Sequence, residues 1–539
     1  MSEPVPDNTV SVDRAPTPSV IKYSPVFNVA TAMIDRHLDE GKGSYPAIIN
    51  ADASPGTGPA EPVTYQMLAE QVNRCGNLLR SLTPEPGSRI LMVVKDCPEF
   101  FYIFWGAIKA GLIPVPLNTL LRADDYRFMI EDSECAGLVY SPEYQSEVDP
   151  ALAASGHQPG FILCTEGPNG MTGLLGDYSP HLDPAPTTAD TECFWLYSSG
   201  STGRPKGAVH RHLDIVATCV HYAEDALGMI QEDVCFSAAK LFFAYGLGNA
   251  MTFPLWVGGT TVLSSQRPSP DMTFQIIEDH KPTIYFGVPT LYAAQLRTLE
   301  EGARDFSSVR CCVSAGEALP ADIFRRWQEK TNTLILDGIG STEALHIFIS
   351  NTMADHRPGT SGKPVPGYRV KILNDEGKPV PPGEAGRLLV QGDSTSSRYW
   401  NNPQKTAETM ADGWLNTGDT YFEDSDGYFV YCGRSDDMLK VGGIWCSPVE
   451  IENRLIEHPK VLEAAVVGRP DTDELIKPEA FVVLNQAGDA STVLADDLLR
   501  HCQERLARYK YPRWVNFVDE LPKTATGKIQ RFRLRGNGT

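Results

Sequence analysis

The sequence predicts an α/β protein with a large N-terminal domain of layered α/β subdomains, an attached small β-barrel-like subdomain, and a small C-terminal α+β domain. Three observations support this prediction. Strand and helix patterns alternate in the N-terminal part, short strands between Gly- and Pro-rich turns follow from residue 368, and a second, shorter α/β pattern follows a charged stretch at residues 433–437. A chain of 539 residues is also long enough for two or more domains.

The N-terminal part favours parallel α/β layers. Residues 63–82 place Leu68, Val72 and Cys75 at helical spacing and predict an amphipathic helix. Buried strands are predicted at residues 89–94 and 137–140, with a helix at 98–110 and an extended piece at 113–117 between them. Such alternation is typical of parallel sheets covered by helices.

The rest of the chain predicts a smaller sheet and a separate domain. Short strands at residues 369–373, 386–390 and 427–431 indicate a small antiparallel sheet or barrel. Beyond it, Ser447, Pro448 and Glu450 occupy the N-cap, N1 and N3 positions of a predicted helix, and strands are predicted at 464–468, 480–484 and 514–518. We therefore predict a flexible arm at residues 1–25, a large domain at 26–435 and a small C-terminal domain at 436–539.

Composition excludes several classes of partner. The formal net charge of −21 argues against binding to nucleic acid or to an anionic membrane. Twelve scattered cysteines without a Cys-x2-Cys pair suit a reducing cytoplasm. The first 17 residues lack the apolar core of a signal peptide, and the apolar run at 100–108 is too short to span a bilayer. We expect a soluble, cytoplasmic protein.

A Ser/Gly-rich stretch is the first candidate functional motif. A strand predicted at residues 193–197 and a helix predicted at 213–227 flank the sequence Ser-Ser-Gly-Ser-Thr-Gly-Arg-Pro-Lys-Gly at residues 198–207. Small residues let backbone N–H groups approach an anion, and the hydroxyls and Lys206 add donors and charge, which suits a polyphosphate. It is not a Walker loop, because Lys206 is followed by Gly207 and Ala208. The alternative is an ordinary surface loop.

Four further clusters lie downstream, at residues 314–320, 337–343, 413–419 and 522–528. In this order, and together with the Ser/Gly-rich stretch, they resemble the motifs of the adenylate-forming enzymes, the acyl- and aryl-CoA ligase superfamily. The resemblance runs from about residue 27 to residue 533. It implies the fold of that family, with a C-terminal domain that is mobile, and it implies ATP, Mg²⁺ and coenzyme A as cofactor and co-substrates.

The resemblance also implies roles for individual residues. Glu343 would hold Mg²⁺, whose preference for oxygen ligands a carboxylate beside a phosphate loop satisfies. Thr342 would touch the α-phosphate, and Lys528 would stabilise the charge that builds up as the substrate carboxylate attacks. Without the resemblance, Lys528 is an ordinary solvated cation. The residues implied for nucleotide binding are Ser198, Ser199, Gly200, Ser201, Thr202, Lys206, Ala315, Gly316, Glu317, Asp337, Gly338, Asp419 and Arg434.

The family carries out two half-reactions. ATP and an acid give an acyl-adenylate and pyrophosphate, and coenzyme A then displaces AMP. By the resemblance, the C-terminal domain rotates about a hinge at Asp436 between these steps. The rotation brings Lys440, Gly442 and Gly443 to coenzyme A, where the glycines allow close approach of the pantetheine arm.

The acid is expected to be aromatic. Amino-acid-activating members carry an Asp where this chain has Ala244, so an ammonium group would be buried here without a partner. Phe243 and Tyr245 suit contacts with a ring. Residues 240–249, 337–348 and 441–448 resemble the family members that activate benzoate, which implies a pocket lined by Phe243, Ala244, Tyr245, Gly340, His346 and Ile347. His346 taken alone is more often a core histidine.

Several alternatives stay open at this point. The acid could be a hydroxy-, amino- or halobenzoate, a cinnamic-type acid or a medium-chain fatty acid. The chain could be an ATP-binding module without ligase activity, although such a module is expected to lack Lys528, Glu343 or Asp419. The acyl group could go to a carrier protein instead of coenzyme A, although no carrier domain is attached. The sequence is compatible with a monomer or a homodimer that binds small molecules.

Overall fold

The structure, a computed structural model, describes residues 7–52, 61–83, 85–198, 204–441, 444–472, 475–523 and 529–535. No helix in these ranges is both long enough and apolar enough to cross a bilayer.

A nine-stranded sheet forms the centre of the N-terminal part. Its six central strands are parallel, and antiparallel strands close both edges. Successive residues of the central strands alternate between two hydrophobic clusters, as Tyr285 and Phe286 do, because helices cover both faces. In spatial order the strands are Lys363–Pro364, Ile347–Ser350, Ile335–Gly340, Cys311–Ser314, Ile284–Gly287, Val234–Ser237, Thr260–Leu263, Pro46–Asn50 and Val63–Thr64.

A four-stranded parallel sheet lies earlier in the chain and confirms the predicted parallel layering. Its strands, in spatial order, are Ile113–Pro116, Arg89–Val93, Gly137–Tyr140 and Phe161–Cys164. The predicted amphipathic helix spans Tyr65–Leu82, and the Thr64 hydroxyl caps it by accepting from the Met67 N–H. The other helices of the N-terminal part are Arg36–Asp39, Pro98–Lys109, Ala123–Ser133, Gln145–Ala154, Met171–Leu174, His212–Thr218, Ala244–Leu247, Phe253–Val257, Pro270–His280, Pro289–Glu301 and Ala321–Thr331.

A three-stranded antiparallel sheet carries the Ser/Gly-rich stretch. Its strands are Arg398–Tyr399, Lys206–Arg211 and Glu192–Ser198, in that spatial order. The sequence analysis predicts the strand before this stretch but not the strand Lys206–Arg211 after it. The predicted helix at 213–227 is present as the helix His212–Thr218, continued as a π-helix over Cys219–Ala226. The chain between Ser198 and Lys206, which the sequence analysis predicts to be a phosphate loop and which is called the phosphate-loop segment below, therefore joins two neighbouring antiparallel strands.

The predicted small antiparallel sheet has five strands, Arg369–Leu373, Gly386–Gln391, Met410–Ala411, Trp414–Glu423 and Phe429–Arg434. The sequence analysis does not predict the long strand Trp414–Glu423, which carries the motif ending at Asp419. The helix Pro403–Thr409 precedes it.

The C-terminal part has its own hydrophobic core. The strands Val461–Pro470 and Ile476–Leu484 pair antiparallel, and Trp514–Phe517 adds a parallel strand. Leu439–Val441 and Ile444–Cys446 form a small hairpin. The Ser447 hydroxyl caps the helix Pro448–Ile456, as the sequence predicts. Two more helices span Thr492–Gln503 and Arg531–Leu534.

The N-terminal segment differs from the flexible arm predicted at residues 1–25. The strands Val10–Asp13 and Val20–Tyr23 form an antiparallel hairpin. Alternate apolar residues of this hairpin, including Val12 and Ile21, pack against the main core, and Arg14 pairs with Glu224 at 2.8 Å. The short alternating runs bury one face of the hairpin, which orders the described part of the segment.

Candidate active site

The carboxylate of Glu343 joins three separate parts of the chain. Its Oε1 accepts hydrogen bonds from the Ser198 hydroxyl at 2.9 Å and from the Tyr399 hydroxyl at 2.7 Å. Ser198 ends the strand before the phosphate-loop segment, and Tyr399 lies in the short strand on the other side of that sheet. Among the described residues, no hydrogen bond reaches the second oxygen, Oε2. The Glu343 carboxylate therefore lies beside the last described residue before the predicted phosphate loop.

Lys206 places a cation beside this carboxylate. It begins the strand after the phosphate-loop segment, and its ammonium lies 5.1 Å from the centroid of the Tyr399 ring. Burial lowers the pKa of Lys206, and the nearby carboxylate of Glu343 opposes this effect. The Lys206 ammonium thus contacts the ring of Tyr399 and the Glu343 carboxylate its hydroxyl, at the place where a nucleotide phosphate and its metal ion are expected.

The backbone of Thr342 is held by a buried pair that the sequence analysis missed. His210 Nε2 lies 2.9 Å from the Thr342 carbonyl oxygen, and His210 Nδ1 lies 2.9 Å from Asp214 Oδ2. Both side chains are fully buried. The only sequence signal is the i, i+4 spacing of a His and an Asp across the junction of a strand and a helix. The pair fixes the turn that carries Thr342 and Glu343.

The turn at residues 315–317 follows the strand Cys311–Ser314. Ala315 is buried, and Gly316 has φ +97°, a backbone conformation that L side chains rarely adopt. Glu317 Oε1 accepts a hydrogen bond from the Ile529 N–H at 2.8 Å. The C-terminal part therefore contacts this turn directly.

Asp337 is a buried carboxyl next to the same turn. Its Oδ2 accepts a long hydrogen bond of 3.4 Å from the Leu319 N–H, and Oδ1 has no hydrogen-bond partner among the described residues. Burial raises the pKa of Asp337 to about 8. Gly338 follows, and a Cβ there would lie 2.8 Å from both Ile347 Cγ2 and the Ile349 carbonyl oxygen. An unpartnered polar atom in a buried place is unusual and suggests that a ligand group satisfies it.

Asp419 and Arg434 are partners on neighbouring antiparallel strands. Arg434 Nη1 donates to Asp419 Oδ1 at 3.2 Å and to the Thr417 carbonyl oxygen at 3.1 Å, and Arg434 Nε lies 3.8 Å from Asp436 Oδ1. Nearby carboxylates, Asp419 above all, raise the pKa of Arg434 against the opposing effect of burial. The pair orients the Asp419 carboxylate.

Several residues predicted to line the ring pocket lie close together, and the polar ones are uncharged. Ala244 begins a short helix and is 8% exposed. The Tyr245 hydroxyl donates to the carbonyl oxygens of Gly287, at 3.2 Å, and Val313, at 3.1 Å. The rings of Tyr245 and His346 lie 5.6 Å apart between centroids. A Cβ at Gly340 would lie 2.5 Å from the His346 carbonyl oxygen. Glycine is therefore required at this position, where the strands Ile335–Gly340 and Ile347–Ser350 pair.

His346 is a neutral group in this pocket. Its Nε2 lies 3.1 Å from Asn249 Oδ1, and Nδ1 has no hydrogen-bond partner among the described residues. Burial lowers the pKa of His346 to about 3. A Cβ at Gly248 would lie 2.4 Å from the imidazole ring, so this glycine makes room for it. The pocket therefore presents no side-chain cation for a carboxylate.

The C-terminal part supplies the remaining predicted residues. Lys440 lies on the exposed side of the hairpin strand Leu439–Val441. Asp436 lies in the turn before this strand, where Arg535 Nη2 donates to its carbonyl oxygen at 3.4 Å. Seven predicted site residues lie outside the described residues, namely Ser199, Gly200, Ser201, Thr202, Gly442, Gly443 and Lys528.

Comparison with known proteins identifies the family. The AMP-binding enzyme family matches residues 36–400, and the AMP-binding enzyme C-terminal domain matches residues 450–528. The chain belongs to the AMP-binding enzyme family. The predicted resemblance to adenylate-forming enzymes and the predicted fold class are thereby confirmed.

Individual AMP-binding enzymes are similar over nearly the whole chain. A benzoate–CoA ligase of Thauera aromatica is 48% identical over 98% of this chain and 99% of its own length. The crystal structure of a benzoate CoA ligase from Burkholderia xenovorans LB400 is 43% identical, covers 95% of this chain and 100% of its own, and has a TM-score of 0.87. The anthranilate CoA ligase AuaEII in complex with anthranoyl-AMP is 39% identical, covers 95% and 97%, and has a TM-score of 0.90.

In this AMP-binding enzyme, the described site residues fall into four connected groups. Ser198, Lys206 and Glu343 meet around Tyr399, and the turn at residues 315–317 meets Asp337 and the C-terminal part. Tyr245 and Gly340 lie beside His346, and Asp419 pairs with Arg434. The domain boundary at residue 435 and the individual ligand contacts stay predictions.

Proposed function

We propose that this AMP-binding enzyme is an acid–thiol ligase that converts benzoate, or a ring-substituted benzoate, to its coenzyme A thioester. In the first step, a carboxylate oxygen attacks the α-phosphorus of ATP, the bond to the β-phosphate oxygen breaks, and pyrophosphate leaves. In the second step, the coenzyme A thiolate attacks the acyl carbon and AMP leaves. The observation that carries this proposal is the Glu343 carboxylate, held by Ser198 and Tyr399 beside Lys206.

Glu343 fits a role in holding Mg²⁺. Two hydroxyls fix Oε1, while Oε2 has no hydrogen bond within the described residues. The described residues also contain no cluster of three or more His, Cys, Asp or Glu side chains that could hold a metal ion. This arrangement suits an ion bound by one carboxylate together with phosphate and water oxygens. When bound, Mg²⁺ would supply neutralisation of phosphate charge.

The nucleotide-binding assignments rest on four supports. Lys206 offers an ammonium for the β- and γ-phosphates, and His210 holds the backbone of Thr342, the residue proposed to touch the α-phosphate. Asp337 has an unpartnered oxygen that could meet an adenine group. Asp419 has two acceptor oxygens for the ribose hydroxyls, and Arg434 holds it in place.

The character of the acid pocket supports an aromatic acid. Ala244 offers no charge to an ammonium group, and the neutral His346 and Tyr245 offer uncharged rings that contact each other. Burying a charged substituent among these side chains would be costly, whereas a ring makes favourable contacts. The near full-length similarity to a benzoate–CoA ligase supports the same acid. The similarity to an anthranilate CoA ligase supports ring-substituted benzoates as the second candidate.

Lys528 is proposed as the catalytic cation of the first step. Its neighbour Ile529 donates a backbone hydrogen bond to Glu317, on the turn proposed to border adenine. A lysine there would stabilise negative charge developing at the α-phosphate. We expect Lys528→Ala to abolish benzoate-dependent pyrophosphate release but to spare thioester formation from supplied benzoyl-adenylate. Equal loss of both half-reactions would refute this division of roles.

A substrate panel tests the proposed function. Pyrophosphate release would be measured with ATP and Mg²⁺ for benzoate, 2-aminobenzoate, 4-hydroxybenzoate, 4-chlorobenzoate, cinnamate and hexanoate. Addition of coenzyme A alone should then yield the thioester and AMP. We expect the highest kcat/KM for benzoate, or for a substituted benzoate under the second candidate. Preference for hexanoate, or a requirement for a carrier protein, would refute the proposal.

We also expect a cytoplasmic enzyme, active as a monomer or a homodimer.

A further inference from the structure

A cavity is lined in part by residues at the end of the predicted phosphate loop. Its volume is about 440 Å³, and Lys206, Arg204 and Lys405 bring three cations to its lining. Lys206 also contacts the Tyr399 ring and so belongs to the candidate nucleotide site. Among the described lining residues, neither Glu343 nor Asp419 is present. The cavity therefore adjoins the nucleotide site at Lys206 and extends beyond it.

The two carboxylates of the cavity are already engaged. Asp132 Oδ2 accepts a hydrogen bond from the Tyr197 hydroxyl at 2.7 Å, and burial raises the pKa of Asp132. Glu408 accepts from Lys405 Nζ at 3.2 Å and from the Gln404 amide at 3.1 Å. Both side chains of this lysine–glutamate pair are about half exposed, so the ion pair is weak. A more highly charged anion can therefore replace Glu408 as the partner of Lys405.

Two of the cations that line the cavity, Lys206 and Lys405, are close enough for the charge of Lys405 to act on Lys206. Burial is the main cause that lowers the pKa of Lys206, and the positive charge of Lys405 lowers it further. The Arg204 guanidinium lies over the Phe128 ring at 5.2 Å from its centroid, and no carboxylate within the described residues forms an ion pair with it. Several positive charges that line one concave surface raise the local electrostatic potential and attract an anion.

A series of contacts connects this cavity with the residues proposed to carry the chemistry. Gly340 and Glu343 belong to one motif, the Glu343 carboxylate contacts Tyr399, and Tyr399 contacts Lys206, which lines the cavity. Under the proposed function, Lys206 holds the β- and γ-phosphates of ATP. Pyrophosphate is therefore released beside a cation that also lines the cavity.

We infer that this cavity is an exit subsite that binds pyrophosphate after it has left the adenylate and before it reaches solvent. The inference rests on the proposed function and extends it to the product side of the first half-reaction. Lys206 passes the anion to Lys405 and Arg204, and amide groups of the lining, such as that of Asn402, can donate hydrogen bonds to it. No bond is made or broken in the cavity.

Two substitutions of opposite effect test the inference. Lys405→Ala removes a cation from the cavity, so we expect KM for pyrophosphate in benzoate-dependent ATP–pyrophosphate exchange to rise about fivefold. Glu408→Gln releases Lys405 from its competing carboxylate, so we expect the same KM to fall about twofold. Lys405→Arg keeps the charge and should retain the value of the unsubstituted enzyme within about twofold. KM for ATP should change by less than about twofold in all three variants.

The exposed pair of Lys378 and Glu376 provides a matched control. It is a lysine–glutamate pair at 2.8 Å in a surface turn, and Lys378→Ala and Glu376→Gln make the same chemical changes there. Equal effects of the Lys405 and Lys378 variants on KM for pyrophosphate would overturn the inference. A parallel rise of KM for ATP in Lys405→Ala would also overturn it, because Lys405 would then belong to the ATP site.

A binding measurement separates this inference from the proposed function. Calorimetric titration of magnesium pyrophosphate into the full-length enzyme needs no acid substrate. We expect Lys405→Ala to weaken this binding about fivefold and Lys378→Ala to leave it unchanged. If no acid supports exchange, the proposed function fails while the titration still tests the cavity. Unchanged pyrophosphate affinity in Lys405→Ala and in an Arg204→Ala, Lys405→Ala double variant would overturn the inference.

Discussion

Replacing Tyr399 with phenylalanine isolates one contact of the candidate metal site. The tyrosine makes two interactions there, a hydroxyl hydrogen bond of 2.7 Å to Glu343 Oε1 and a ring contact with the ammonium of Lys206. Phenylalanine keeps the ring and removes only the hydroxyl. The Ser198 hydroxyl would remain as a donor to the carboxylate. The substitution therefore loosens the carboxylate without removing it or the neighbouring cation.

The size of the effect follows from the kind of bond that is lost. A hydrogen bond to a charged group contributes about 1.5–3 kcal/mol, which corresponds to roughly 10- to 150-fold in an equilibrium constant. Loss of a hydrogen bond that holds a metal-binding side chain in place lowers metal affinity or activity about 10- to 100-fold. Glu343 is half-buried, so water can replace part of the lost bond. We therefore expect the lower end, about tenfold, in the Mg²⁺ concentration needed for half-maximal activity.

The measurement is the Mg²⁺ dependence of benzoate-dependent ATP–pyrophosphate exchange in Tyr399→Phe. Tyr65→Phe is the control, because it removes a buried hydroxyl that donates to the Gly259 carbonyl oxygen at 2.7 Å, in another part of the molecule. The control should keep the Mg²⁺ dependence of the unsubstituted enzyme. An unchanged Mg²⁺ requirement in Tyr399→Phe would show that Tyr399 does not position the metal-binding carboxylate.

Three further predictions follow from buried or hinge positions. Ala244→Asp places a carboxylate in the apolar pocket, so KM for benzoate should rise at least about tenfold in the pyrophosphate-release assay, whereas Ala244→Ser should change it little. Because burial raises the pKa of Asp337, its carboxyl is protonated in the folded state at pH 6 but ionised in the unfolded state. The free energy of unfolding should therefore fall by about 2 kcal/mol between pH 6 and pH 8. Asp337→Asn should remove this fall in urea denaturation, and equal pH dependence in both proteins would contradict the assignment. Asp436→Pro restricts the backbone at the proposed hinge. Single-turnover assays should therefore show normal benzoyl-adenylate formation and slower thioester formation. Equal slowing of both steps would argue against a hinge at Asp436.

Much of the fold could be predicted because the pattern of apolar residues matches the layers. The strand Gly137–Tyr140 and the helix Tyr65–Leu82 both lie where periodicity predicts them. The strand Lys206–Arg211 could not be found this way, because its Gly, Ala and charged ends give no apolar run. It is buried through its pairing with two neighbouring strands, a long-range contact that local sequence does not report. The N-terminal hairpin was missed for a similar reason, since it gains its burial from the core on which it packs.

The site shows the same division between local and long-range information. Glu343 and Ser198 could be predicted because motifs carry them. Tyr399 could not, since it lies 56 residues from Glu343 in the chain and belongs to no motif that the sequence analysis singled out. His210 acts on a backbone carbonyl 132 residues away, and a single histidine has no spacing that would reveal this contact. Supporting residues are therefore the part of this site that only the three-dimensional arrangement reveals.

The ion pairs around residue 436 indicate how the C-terminal part could move as one body. Asp437 pairs with Arg535 and lies 3.8 Å from Arg531, which in turn pairs with Glu452 at 2.8 Å. All of these residues follow residue 436, so their contacts survive a rotation about it. Arg434 is instead held by Asp419, on the preceding domain. A rotation must break the hydrogen bond from Ile529 to Glu317, which joins the C-terminal part to the proposed adenine turn, and the hydrogen bond from Arg297 to the Asn485 carbonyl oxygen. Because the bond to Glu317 joins the C-terminal part to the turn proposed to border adenine, we expect the described arrangement to serve the first half-reaction.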